Sequence, residues 1–145
     1  MQTGSEAEAE RMAVEIAESY KDYAPIQYFL YGIATKKQDW ARALPYAENA
    51  NRIEKSALSY LSLASVLHQL DRHQETVDAV YKALELEPSR IAKTAGILEG
   101  IASLAILNRK QEAKDLAQKH MDANPNWRDN PTFVDLVTKL GMLKG

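Results

Sequence analysis

The chain has 145 residues, 46% of them hydrophobic, and a formal net charge of −2 at pH 7. That length is enough for one domain with a sizeable core, and the near-balance of charge argues against the basic face that a nucleic-acid partner requires. With no cysteine there is no disulfide framework and no thiolate metal site; no run of about 18 apolar residues offers a membrane span, and the opening MQTGSEAEAE lacks the basic and apolar regions of a signal peptide.

In chain order, Glu6–Asp22 carries Ala9, Met12, Ala13, Ile16, Ala17 and Tyr20 on one stripe, with Glu8, Arg11, Glu15, Glu18 and Asp22 opposite. This spacing predicts an amphipathic helix. Ser5 suits its N-cap, and the early glutamates suit its positive end. Pro25 closes the pattern, and Ile26–Lys37 and Trp40–Asn51 predict a helix pair. Pro45 falls in the first turns of the second member, so that helix is expected to start late or bend.

From Ser56 to Pro88, two helical patterns, Leu58–Leu70 and Gln74–Leu86, flank the polar break Asp71-Arg72-His73. Apolar or small residues recur at Tyr60, Leu63, Ala64 and Leu67, then at Thr76, Val80, Ala83 and Leu84, one face of a 3.6-period helix in each case. Pro88 sits where the second helix must stop. A third pair follows, its first helix spanning about Arg90–Leu107, capped by Ser89 and longer by roughly one turn. Its second helix runs from the turn at Asn108 to Pro125, and Ala113 to Pro125 repeats the Thr76 to Pro88 interval. Within the first helix, Leu98-x2-Ile101-Ala102 matches the earlier pattern best, whereas counting back from Pro125 moves everything by one. Last, Pro131–Leu143 aligns Phe133, Leu136, Val137, Leu140 and Leu143, after an Asn130 cap and proline at the first helical position. No strand-period pattern occurs.

The chemistry-bearing residues are sparse. His68 and His73 straddle a turn rather than sitting four apart on one helix, and His120 stands alone. No H-E-x-x-H, G-x-S-x-G or Gly-rich phosphate loop is present. The expectation is a non-enzyme with no metal and no cofactor. Gly96-x3-Gly100, with Ala92 before it, aligns small residues on one helix face; close packing against a neighbouring helix is favoured over a flat surface for a partner or second copy. Tyr20, Tyr23, Tyr28, Phe29, Tyr31, Trp40 and Tyr46 crowd one third of the chain. Most are expected in the core, with one or two left to face a ligand, because Tyr and Trp are common hot-spot anchors. Lys36-Lys37 and Arg109-Lys110 fall in turns and read as solvated helix ends.

The segment Tyr60-x2-Leu63-Ala64, the small residues Thr76 and Ala83, and the tail Lys82-Ala83-Leu84-Glu85-Leu86-Glu87-Pro88 together resemble the tetratricopeptide repeat, a helix–turn–helix unit of about 34 residues. Tyr60 stands for the family's Trp, and Ala64 for its Gly. Tyr28-x2-Tyr31-Gly32 resembles the same motif, with Ala43 and Ala50 at the small sites of the next helix. The resemblance covers about residues 26–125. It implies an all-α, right-handed superhelix of antiparallel helix pairs, as one domain over 1–145: an N-terminal helix 5–24, repeats 25–54, 55–88 and 89–125, and a capping helix 130–144. Arrays of this kind bind a peptide or helix of another protein in a concave groove lined by first helices. Here the groove is expected at Phe29, Ile33, Leu58 and Leu61, with Ser65 and His68 as polar points. The Lys-x3-Asn and Lys-x3-basic sites with which some members grip an acidic tail look absent. The implied partner is a protein, a peptide or a second copy of the chain, with no nucleic acid and no membrane insertion. The alternative is a structural self-assembly module or a piece of a longer scaffold.

Overall fold

The computed structural model describes residues 4–143, and all regular structure among them is helical. Eight α-helices follow in order: α1 (Gly4–Ser19), α2 (Ala24–Lys36), α3 (Trp40–Ile53), α4 (Ala57–Gln69), α5 (His73–Leu86), α6 (Ile97–Ile106), α7 (Lys110–Ala123) and α8 (Pro131–Lys139). Short 3-10 segments occupy Pro88–Ala92 and Trp127–Asp129. No helix among the described residues is long and apolar enough to cross a membrane. The chain forms two compact units, one ending at Lys55 and one beginning at Ser56.

In the first unit, α2 and α3 form a hairpin and α1 packs on α2. The Asp39 side chain accepts a hydrogen bond from the Arg42 amide at 3.2 Å, so α3 starts at Trp40 and carries Pro45 inside it. The late start expected from Pro45 does not occur, because the cap fixes the first turn upstream of the proline. Pro45 leaves the Ala41 carbonyl without its helical donor, and Ala41 is exposed, so water can reach it. The buried residues here are mostly small: Ala13, Ala34, Ala43, Ala47 and Ala50, around Leu30. α1 is tied by charge as well as by packing. The buried Glu10 carboxylate takes Lys37 Nζ at 3.0 Å and also pairs with Arg42. The stripe read from the sequence is therefore divided. Ala13 faces inward, while Met12, Ile16 and Tyr20 remain exposed, because Glu10 and small residues make the approach. Ser5 lies inside α1 rather than capping it, and α1 ends at Ser19, short of Asp22.

The second unit holds the hairpins α4/α5 and α6/α7, with α8 after them. A reciprocal cap opens α4: Ser59 N donates to Ser56 Oγ at 3.1 Å, and Ser56 N to Ser59 Oγ at 3.0 Å. Asn130 caps α8 by accepting from the Phe133 amide at 3.1 Å. Leu61, Val77, Val80, Ile97, Ile101, Leu104, Leu116, Phe133 and Val137 share one apolar core. The C-terminal helix spans less than the expected 130–144, and Lys144 lies outside the described residues.

The three hairpin turns mark the repeat. Among the described residues, Gln38, Asp71 and Asn108 are the non-glycine residues with positive φ, at 57°, 60° and 61°, and each follows the first helix of its pair. Counting in step with these turns brings Ala43, Thr76 and Ala113 together, all fully buried. The same count puts Ile97, Gly100 and Ile101 where Tyr60, Leu63 and Ala64 stand, which is the register counted back from Pro125; the Leu98-x2-Ile101-Ala102 match is off by one. It also puts Gln27, Leu30 and Tyr31 in that slot on α2, in place of Tyr28, Tyr31 and Gly32. Gly32 is exposed, with no atom within 4 Å of where a Cβ would stand, so no close approach requires a glycine there.

The first helix of the third pair differs most from expectation. The span Arg90–Leu107 divides into the 3-10 segment Pro88–Ala92, which contains Ser89, and the separate α6. The break is at Gly96, whose φ of 80° suits glycine, and whose N–H donates to Glu99 Oε2 at 3.0 Å. A Cβ on Gly96 would lie 2.7 Å from Leu61 Cδ2, and one on Gly100 would lie 3.0 Å from Val80 Cγ2. Both glycines thus serve close packing within this unit, as favoured from the sequence.

Candidate functional site

Three helices of the second unit build a cleft of about 290 Å³. From α4 come His68 and Gln69; from α6 Leu98, Glu99 and Ala102; from α8 Thr132, Asp135, Leu136 and Lys139. The helical period selects these residues. On α6 the core takes Ile97, Ile101 and Leu104, and on α8 it takes Phe133 and Val137, so their neighbours in the other phase line the cleft. The rotation of α8 is set from below: Phe133 meets His120 edge-on at 4.7 Å and Trp127 at 5.9 Å between ring centroids. His120 is fully buried and occupies the small-residue site held by Ala50 and Ala83 in the earlier pairs. Its Nδ1 lies 2.7 Å from the Ile91 carbonyl, and its Nε2 has no hydrogen-bond partner among the described residues.

Behind the cleft lies a polar cluster. Ser103 Oγ, fully buried on α6, is 2.8 Å from His68 Nδ1 and 2.9 Å from His73 Nδ1. The two imidazoles meet edge-on, 5.2 Å apart, and His73 Nε2 is 3.6 Å from Asp71 Oδ1. Burial, and next the neighbouring His73, hold the His68 pKa below its usual value, against the opposing pull of Glu99 and Asp71. Asp71, His73 and Ser103 follow one another as in a hydrolase relay. Yet Ser103 has no exposed surface, so no external carbonyl can reach its hydroxyl, and the cluster ties the α4–α5 turn to α6. Among the described residues, no group of three or more His, Cys, Asp or Glu is placed to hold a metal ion. At the cleft mouth, Lys139 Nζ pairs with Asp135 Oδ2 at 2.9 Å.

The six residues expected to line the groove are distributed as follows. Phe29 is exposed and Ile33 half-buried on α2, in the first unit. Leu58 is exposed at the start of α4, and Ser65 and His68 are half-buried further along it. Leu61 requires correction: it is only 6% exposed and packs on Gly96, inside the core. Of the six, His68 lines the α4–α6–α8 cleft. The sequence reading missed Leu98, Glu99, Thr132, Asp135 and Lys139. The available signal was the polar series Thr132, Asp135 and Lys139 on α8, which share one side of a helix.

No protein-family model matches the sequence, and no curated protein matches it. Among solved structures, the chain is similar to the Arabidopsis OM64 TPR domain, with a TM-score of 0.72 at 18% identity over 81% of this chain and 93% of that one. The all-α helix pairs, the repeated turns and this likeness define a tetratricopeptide-repeat fold.

Proposed function

We propose that the chain is a protein-interaction module that holds a segment of a partner protein against the face formed by α4, α6 and α8. The observation carrying this reading is the cleft itself, where Leu98, Ala102 and Leu136 give apolar walls beside Glu99, Asp135, His68 and Lys139. Its volume suits one or two side chains of a peptide rather than a drug-sized ligand. Leu58, exposed on the same α4, offers apolar contact toward the helix start, with Ser65 between it and His68. On α2, Phe29 and Ile33 are further proposed contacts.

Peptides selected from a displayed library on the intact chain test this reading. Leu98 and Leu136 are half-buried, so Leu98→Asp and Leu136→Asp should leave the fold intact by circular dichroism. Selected peptides should bind each variant at least about tenfold more weakly, a loss of about 1.4 kcal/mol. Equal binding to folded variants contradicts the reading.

A second reading, self-assembly, is favoured by Met12 and Ile16 on α1 and Tyr20 just past its end, a row of exposed apolar residues. Sedimentation should then show a dimer that Ile16→Asp dissolves; a strict monomer contradicts it.

A further inference from the structure

We propose that the α4–α6–α8 cleft is polarised: at neutral pH His68 presents it with a bare acceptor nitrogen, so the cleft selects a partner segment bearing a lysine or arginine and releases it on acidification. The inference rests on the reading above, that this cleft is the binding face.

The Ser103 hydroxyl has a single hydrogen to place. Ser103 Oγ lies within hydrogen-bond distance of Nδ1 on both His68 and His73. A neutral imidazole carries its hydrogen on one nitrogen only. The hydroxyl can donate to one ring and must accept from the other, so the two rings hold opposite tautomers. Asp71 decides which is which. Its carboxylate lies 3.6 Å from His73 Nε2, too long for a hydrogen bond but close enough to favour a hydrogen on that nitrogen. His73 Nδ1 is then bare and takes the Ser103 hydrogen. His68 must donate from Nδ1 to Ser103 Oγ, which leaves its Nε2 as a lone-pair acceptor. Since His68 lines the cleft with Nδ1 already engaged, Nε2 is the ring nitrogen left for an occupant.

The charged groups around His68 point the same way. On α6, Glu99 uses Oε2 for the Gly96 amide, and its other oxygen has no donor among the described residues. On α8, Lys139 is paired with Asp135. His73 on α5 and Asp71 in the turn lie behind the ring. With Asp135 and Lys139 offsetting each other, the cleft offers the Glu99 carboxylate, the His68 acceptor and the Gln69 amide oxygen. A cationic donor side chain complements that set. Protonation reverses the polarity: His68 gains a hydrogen on Nε2 and a positive charge, and both repel the same side chain. Burial delays this step relative to an ordinary histidine.

The test uses the whole chain in solution. Long-range proton–nitrogen correlation at neutral pH should find the hydrogen of His68 on Nδ1 and that of His73 on Nε2. Capped arginine (N-acetyl-arginine-methylamide) should shift the amides of His68, Glu99 and Asp135 with a dissociation constant at least about tenfold below that of capped glutamate. The preference should vanish as pH falls through the His68 titration. His68→Asn, which keeps a short donor toward Ser103 but has no distal nitrogen, should weaken the arginine preference. A His68 hydrogen on Nε2, glutamate bound as tightly as arginine, or an unchanged preference in His68→Asn overturns the inference while leaving the cleft as a binding face. If neither probe moves these amides, the binding-face reading itself falls.

Discussion

The two units fill the same kind of helix pairing with different material. The first buries Ala13, Ala34, Ala43, Ala47 and Ala50 around Leu30, and adds the buried Glu10 carboxylate with its two cationic partners. Its larger apolar side chains, Met12, Ile16, Tyr20, Tyr23 and Phe29, stay exposed. The second buries Ile97, Ile101, Leu104, Phe133, Val77, Val80 and Val137 in one cluster. Small residues let helices approach closely, but they remove little apolar area from water, and stabilisation follows that area. The first unit therefore leans on the Glu10 contacts and should open more readily. The second has core to spare, and it tolerates a polar cluster and a cleft lined with charges.

The largest expected effect lies in the second unit. Phe133→Ala removes a fully buried ring that packs on His120 and Trp127 and should cost about 3–5 kcal/mol, read as a fall in the urea midpoint. A loss near zero would mean that α8 does not seal the core. Next, Glu10→Gln should destabilise by about 1.5–3 kcal/mol, the range for hydrogen bonds to charged groups; Lys37 and Arg42 are partly exposed and can rehydrate. Amide exchange should accelerate in α1 and stay unchanged in α6 and α7. Acceleration throughout would show that the two units do not differ in this way.

A smaller effect concerns pH. The folded chain holds the His68 pKa below 6.5, so below that value the unfolded chain binds the extra proton more readily. Stability is then complete above pH 6.5 and falls as pH drops through the window beneath it. His68→Asn should flatten this slope in thermal melts, and an unchanged slope would refute the assignment. Smallest of all, Met12→Asp on the open face of α1 should change stability by no more than about 0.5 kcal/mol. A larger loss would mean that α1 buries that face in solution.

The sequence made the second helices easier to read than the first. Ala43, Thr76 and Ala113 are recognisable because a buried site where helices nearly touch admits only small side chains. First-helix sites accept Tyr, Leu, Ile or Gln alike, so a shift by one residue still looks apolar. That is why Tyr28-x2-Tyr31-Gly32 on α2 and Leu98-x2-Ile101-Ala102 on α6 both match the motif one residue out of register. The left-handed φ of Gly96 is invisible in a string of letters, and without it Arg90–Leu107 reads as one long helix. Leu61 shared the helical period of a groove residue but faces the close approach at Gly96. The cleft was illegible for a different reason. It needs the rotation of α8, which follows from Phe133 seating on His120 and Trp127, and that contact joins segments the periodicity treats separately.

A partner segment held on the α4–α6–α8 face must leave the exposed apolar residues of α1 uncovered. Hydrogen exchange of the chain with and without a selected peptide tests it most directly. Exchange should slow around His68 at the end of α4, along α6 and along α8, and stay unchanged in α1. Protection confined to α1 and just past its end, around Met12, Ile16 and Tyr20, would contradict it.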